Sequence, residues 1–245
     1  MDQTVHFGAM AAGNSGTLKR LRNELIKPWE PWAEEHEIQS ELQTILFSTR
    51  LAEAADVGAA NDIAKLLLGR INGIYKTVRG HVPIKFSGLV RFEPGQAPML
   101  MTIGEANITL ASATAGEGWV APNPPVAPSP LQRDLYLASV DSKFDDLLSY
   151  AARCEDWFDV YKAIEAASDI AGGEHKLLKA LGSTGPSVKD MKNTANFHRH
   201  YKTYNPPGHT KLHECPGLVG RMIEVVASML TIKYPAMPSQ GGRDG

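Results

Sequence analysis

The chain has 245 residues, 43% of them hydrophobic and 21% charged, with a net charge of −2. This is enough apolar material for one large domain or two small ones, and it excludes a globally basic surface. Any nucleic-acid contact must therefore come from a local patch.

Residues 1–16 are rich in Gly, Ala and Ser, which predicts a poorly ordered start. They lack a charged region followed by an apolar core, so no secretory leader is expected. Leu18, Leu21, Leu25 and Ile26 then recur at helical spacing and predict a short amphipathic helix ended by Pro28. Trp29 and Trp32 read as aromatic packing onto the domain. Residues 36–51 suit either period, with TILFST over 44–49 favouring a strand. Over 61–75, Ile63, Leu66, Leu67, Ile71 and Ile74 form one helical face, and Asn72-Gly73 marks an irregular C-terminal end. Strands are predicted over 82–92, with a bulge at Gly88, and over 99–113. Glu93-Pro94-Gly95 makes them a hairpin. The fold class is thus α+β in the first half, a small sheet backed by a long helix.

Residues 121–130 hold five of the 16 prolines and form a semi-rigid linker. The division is a 17–120 α+β domain, a 121–130 proline-rich linker and a 131–235 helical bundle. In the last part, Leu137, Val140, Phe144, Leu147, Leu148 and Ala151 keep helical spacing, as do Trp157, Val160, Tyr161, Ile164, Ser168 and Ala171. Gly172-Gly173 ends the second run, Gly182 stops a short helix over 175–181, and another helix begins at Ser187. Leu218, Val219, Met222, Ile223, Val226, Met229 and Leu230 mark the last, with Pro216 in its first turn. Such helices make an antiparallel bundle. Asp141, Asp145 and Asp146 read as a solvated acidic face. No apolar run approaches the roughly 20 residues that cross a bilayer, so no membrane partner is expected. The two cysteines, Cys154 and Cys215, cannot build a disulfide framework; reduced thiols point to the cytoplasm.

The unusual chemistry is concentrated over 193–215, where His198, His200, His209 and His213 account for half of the eight histidines and Cys215 closes the run. Lys192, Arg199, Lys202 and Lys211 add positive charge. Three readings follow. In one, histidines and Cys215 bind zinc, although their spacing matches no established zinc motif. In the second, an imidazole moves the proton of a ribose 2′-hydroxyl while Arg199 holds the phosphate. His200 or His209 supplies the imidazole, and Tyr204 or Tyr201 stacks on a base. In the third, the loop and the aromatic residues serve contact with a protein partner or a second copy of the chain.

The segments over 156–174 (DWFDVYKAIEAASDIAGGE) and 190–202 (DMKNTANFHRHYK) resemble the C-terminal part of a group of uncharacterised bacterial proteins, and 71–92 looks like their N-terminal part. The helical half also resembles, more distantly, the HEPN modules of bacterial toxin and phage-defence systems. That resemblance implies a dimeric all-helical bundle that cleaves RNA without a metal or other cofactor. The family uses an arginine, a polar residue and then a histidine a few positions on. Arg199-His200 matches the start of that pattern, and His209 follows beyond Pro206-Pro207-Gly208. The expectation is an RNA-associated protein, with an endoribonuclease as its active form. Arg199, His200 and His209 are then catalytic, and Lys192, Asn196, Lys202 and Tyr204 bind the nucleic acid. The alternative is a non-catalytic interaction module.

Overall fold

The computed structural model describes residues 6–80, 82–101, 127–200 and 210–235. Among the described residues five antiparallel strands form one sheet in the order β2-β3-β1-β4-β5: β1 His6–Ala12, β2 Trp32–Ile38, β3 Glu41–Phe47, β4 Lys85–Phe92 and β5 Met99–Met101. The α+β class expected from the sequence is the class observed.

The central strand is the one expected to be poorly ordered. Its composition misleads because a middle strand can be built from small residues when larger neighbours close over it. A Cβ on Gly8 would stand 2.4 Å from Ile45 and 3.1 to 3.2 Å from Phe47 and Phe92, so the missing side chain is what lets those groups meet. The hairpin of β2 and β3 turns on Gln39 and Ser40, both at positive φ. Two such residues fit the hairpin twist but lack the Asn-Gly signature by which that turn is read from sequence. At Gly88 the register of β4 against β1 slips by one residue, as expected, and the Ser87 hydroxyl donates to the Met10 carbonyl at 3.1 Å. The turn into β5 is held by Gln96 N donating to Glu93 O. The rest of the predicted second strand lies outside the described residues.

Helix α1 (Ser15–Glu24) is capped by the Asn14 side chain, and its last turn hands Leu25 O to Ala33 N of β2. Helix α2 (Thr49–Ala52) is capped by Ser48. At the start of α4 (Pro130–Val140), Ser129 and Gln132 exchange side-chain and backbone hydrogen bonds, a capping box. The buried Gln132 amide also donates to the carbonyls of Ile26, Trp29 and Pro31. Of the proline-rich linker, residues 121–126 lie outside the described residues, while Pro130 is the first residue of α4.

The described residues divide into two compact units: 6–68, 84–101 and 127–133 form one, and 69–80, 82–83, 134–200 and 210–235 form the other. The second unit holds α5 (Ser142–Arg153), α6 (Trp157–Ala171), α7 (Glu174–Leu181), α8 (Gly185–His200) and α9 (Cys215–Lys233), with α6 touched by the other four. It also holds residues 69–77, the second half of α3 (Val57–Thr77). The helix expected only to back the sheet thus belongs in part to the bundle.

Gly73 is no helix end. It sits within α3 because a Cβ there would lie 2.3 Å from the Leu148 carbonyl oxygen of α5. Gly220 of α9 meets Thr77 O in the same way, at 2.2 Å. Close backbone crossings of this kind require glycine. Asp141 breaks the expected continuous run: α4 stops at Val140, and the Asp141 side chain caps α5 at Phe144 N. Asp145 makes two hydrogen bonds to Arg70, at 2.7 and 2.8 Å. Two of the three aspartates read as a solvated face therefore do structural work, and Asp146 alone is exposed. Helix ends at Gly172 and Gly182 fall as expected.

With its preceding turn, α9 is long and apolar enough to cross a membrane by length and composition alone, with a mean hydropathy of 1.4. Val219, Met222, Ile223, Val226 and Leu230 are buried in the helical unit, which accounts for that composition.

Candidate functional site

The stretch singled out in the sequence is reached through α8. Val188, Met191 and Ala195 form its buried face. Lys192, Asn196 and Arg199 follow one another at i, i+4 and i+7 along one flank. Lys192 is paired with Glu174 at the start of α7, so its charge is already matched. Asn196, Arg199 and His200 are exposed. The Arg199 guanidinium lies 4.7 Å from the centre of the Tyr161 ring. One residue earlier, His198 stacks on Trp157 at 4.9 Å with the rings 5° from parallel.

Three basic side chains thus end α8. Part of the reason is local: the unpaired carbonyls of a helix C-terminus carry about half a negative charge and attract cations. That end opposes an anion by roughly 0.3–1 kcal/mol, less than a charge-assisted hydrogen bond from a guanidinium supplies, about 1.5–3 kcal/mol. No carboxylate among the described residues pairs with Arg199. A guanidinium over a ring face keeps N–H donors that the ring does not use, and those donors fit a phosphate.

The other expected site residues divide. His209, Lys202 and Tyr204 lie outside the described residues. His213 is exposed on a single 3-10 turn, Leu212–Glu214. Cys215 is buried, its Sγ 3.6 Å from the Lys211 carbonyl, and burial pushes its thiol up to about 12. Burial likewise raises Cys154 to about 11. Among the described residues no three His, Cys, Asp or Glu side chains are grouped to hold a metal. A cleft of about 410 Å³ on the same unit is lined by Ser187, Asp190, Thr210 and Glu214, and its carboxylates do not suit a phosphate.

Trp157 and Tyr161 were expected on the buried face of α6. Val160 and Ile164 of the expected face are buried, joined by Ala163 and Ala167, and the two rings are only partly buried at its edge. The signal was in the sequence: WFDVYK carries more rings than one buried stripe can take.

A second ring cluster lies on the sheet. Phe47 stacks on Trp32 at 5.6 Å and meets Phe92 and His36 at 5.4 and 5.5 Å; His6 stacks on Phe92 at 5.2 Å. His36 Nε2 is 3.2 Å from Glu34, which also pairs with Lys27. Burial pushes the Glu34 carboxyl up, but the hydrogen bonds from His36 and Lys27 and their charges outweigh it and hold the carboxyl below its usual range.

No family model, curated protein or solved structure matches the chain.

Proposed function

We propose that this chain is an RNA-associated protein whose contact point is the C-terminal end of α8. One observation carries the reading: the exposed Arg199 guanidinium, laid on Tyr161 and free of any described carboxylate, with His200 next to it in the chain. A phosphate can take two parallel hydrogen bonds from that guanidinium. Asn196, one turn earlier on the same flank, offers a neutral donor.

The sharper form of the proposal is a HEPN-like, metal-independent endoribonuclease of a bacterial toxin or defence system. In it Arg199 holds the scissile phosphate and stabilises the developing charge, while an imidazole, His200 or His209, takes the 2′-hydroxyl proton. No metal is needed for that transfer. Two unpaired, buried thiols fit a reducing cytoplasm. The second reading is a protein-contact module or homodimer, favoured by the partly exposed Trp157 and Tyr161 beside Arg199, residue types that anchor protein interfaces.

One experiment separates them. Labelled RNA is titrated with the protein at low and physiological salt in the presence of a chelator. Salt-dependent binding is expected, with Arg199→Ala weakening it about tenfold and lowering the salt slope by about one. Cleavage that survives the chelator and is lost in Arg199→Ala supports the ribonuclease. Binding without cleavage leaves an RNA-associated protein. No binding at low salt sinks the proposal and leaves the protein-contact module.

A further inference from the structure

We infer that the site at the end of α8 continues along α6 and α5 as a strip of cations laid over rings, and that its ligand is single-stranded rather than duplex nucleic acid. The inference rests on the RNA reading above. Three pairs make the strip. Arg199 covers Tyr161 at 4.7 Å, Lys162 stands 6.0 Å from the centre of Phe158, and Arg153 covers Tyr150 at 5.1 Å. Phe158 and Tyr161 lie one turn apart on α6, and Arg153 reaches α6 through its ion pair with Asp159, so the three pairs are neighbours. All belong to the helical unit. Phe158 is 52% exposed, which leaves most of a ring uncovered at the surface.

The charge along the strip decides the ligand class. Lys162 is paired with Glu165 at 2.7 Å and Arg153 with Asp159 at 3.0 Å. Among the described residues only Arg199 of the three is left without a carboxylate, so the strip is rich in rings and poor in net positive charge. A duplex hides its base faces and is bound mainly by neutralising closely spaced phosphates, which this surface cannot do. A single strand exposes base faces that stack on aromatic side chains, with flanking cations adding to the attraction. Lys162 and Arg153 keep their stems along the rings and can turn their charged ends toward a passing phosphate.

The test uses the full chain and fluorescence anisotropy of a short labelled RNA, single-stranded or annealed to its complement. Single-stranded RNA is expected to bind at least about tenfold more tightly, and Phe158→Ala and Tyr161→Ala each to weaken it by about 5- to 150-fold, the range of base–aromatic stacking. Phe158 is a surface residue, so its variant keeps the fold, and circular dichroism checks Tyr161→Ala. If duplex binds as well as single strand, or if Phe158→Ala binds normally while Arg199→Ala does not, the strip is overturned and the α8 contact stands. If neither polymer binds, the RNA reading falls with it, and the strip is a surface for a protein partner.

Discussion

Two clusters in this molecule combine histidine with aromatic rings, and they use them in opposite ways. On the sheet, Phe47, Phe92, Trp32, His6 and His36 face one another across the strands, and the one carboxylate among them, Glu34, is taken by His36 and Lys27. On the helices, Trp157 and Tyr161 receive His198 and Arg199 at the surface, and the Arg199 charge is left without a counter-ion among the described residues. Ring density alone therefore does not identify a site. What separates the two is whether the charges are matched from within: Glu34 has both His36 and Lys27, although Trp32 Nε1 and His36 Nδ1 are buried without a hydrogen-bond partner among the described residues, whereas Arg199 has no counter-ion among them.

The largest effect should come from the inward cluster. Phe47 is 5% exposed and touches four other rings. Phe47→Ala removes that volume and leaves a void, which should cost about 3–5 kcal/mol in urea unfolding. Tyr161→Ala, at the edge of α6, should cost about 1 kcal/mol and register in RNA binding instead. Equal losses of stability would erase the distinction between the clusters.

That distinction was only partly legible in the sequence. The helices of the bundle were, because apolar spacing and glycine stops are local: the ends at Gly172 and Gly182 needed no tertiary knowledge. The central strand was not. Its Gly8 and alanines carry no strand signal, and their smallness has meaning only once Ile45, Phe47 and Phe92 are seen to close over them. Gly73 misled for the same reason, since a close helix crossing and a helix stop call for the same residue. At the candidate site, Arg199 and His200 could be picked out by chemistry. Lys192 could not be told from them until its pairing with Glu174 was seen, and the rings of α6 were hidden in an apolar pattern.

The helical unit also holds a largely buried charge in an ion pair that includes none of the candidate-site residues. Arg70 is held by Asp145 with side-chain exposures of 10% and 24%. Asp145→Asn leaves the guanidinium short of its counter-charge and should cost about 2 kcal/mol, less than the ~3–5 of a fully buried pair because the carboxylate keeps some water. Arg70→Met with Asp145→Leu should recover most of that loss, since apolar packing replaces both charges at once. RNA binding should be unchanged in either variant. A loss of binding equal to that of Arg199→Ala would show that the outward cluster depends on the interior rather than on its own surface.

The smallest effect tests whether the sheet cluster is as closed as its geometry implies. Glu34 is held below the usual carboxylate range in the folded chain, because the hydrogen bonds and charges of His36 and Lys27 overcome the cost of burial. A depressed carboxylate adds stability that is complete above its unfolded value, near 4.3, and is lost as the pH falls through the folded value. Lys27 is 58% exposed, which screens its share, so the contribution should stay below about 1 kcal/mol. Glu34→Gln should therefore be slightly less stable than the parent at pH 6 to 7, and the two should converge as the pH is lowered past 4. Urea unfolding of both proteins across that range measures the gap. A gap that stays constant with pH would mean that the carboxylate charge is not held by the cluster, just as the Arg199 charge has no counter-ion among the described residues.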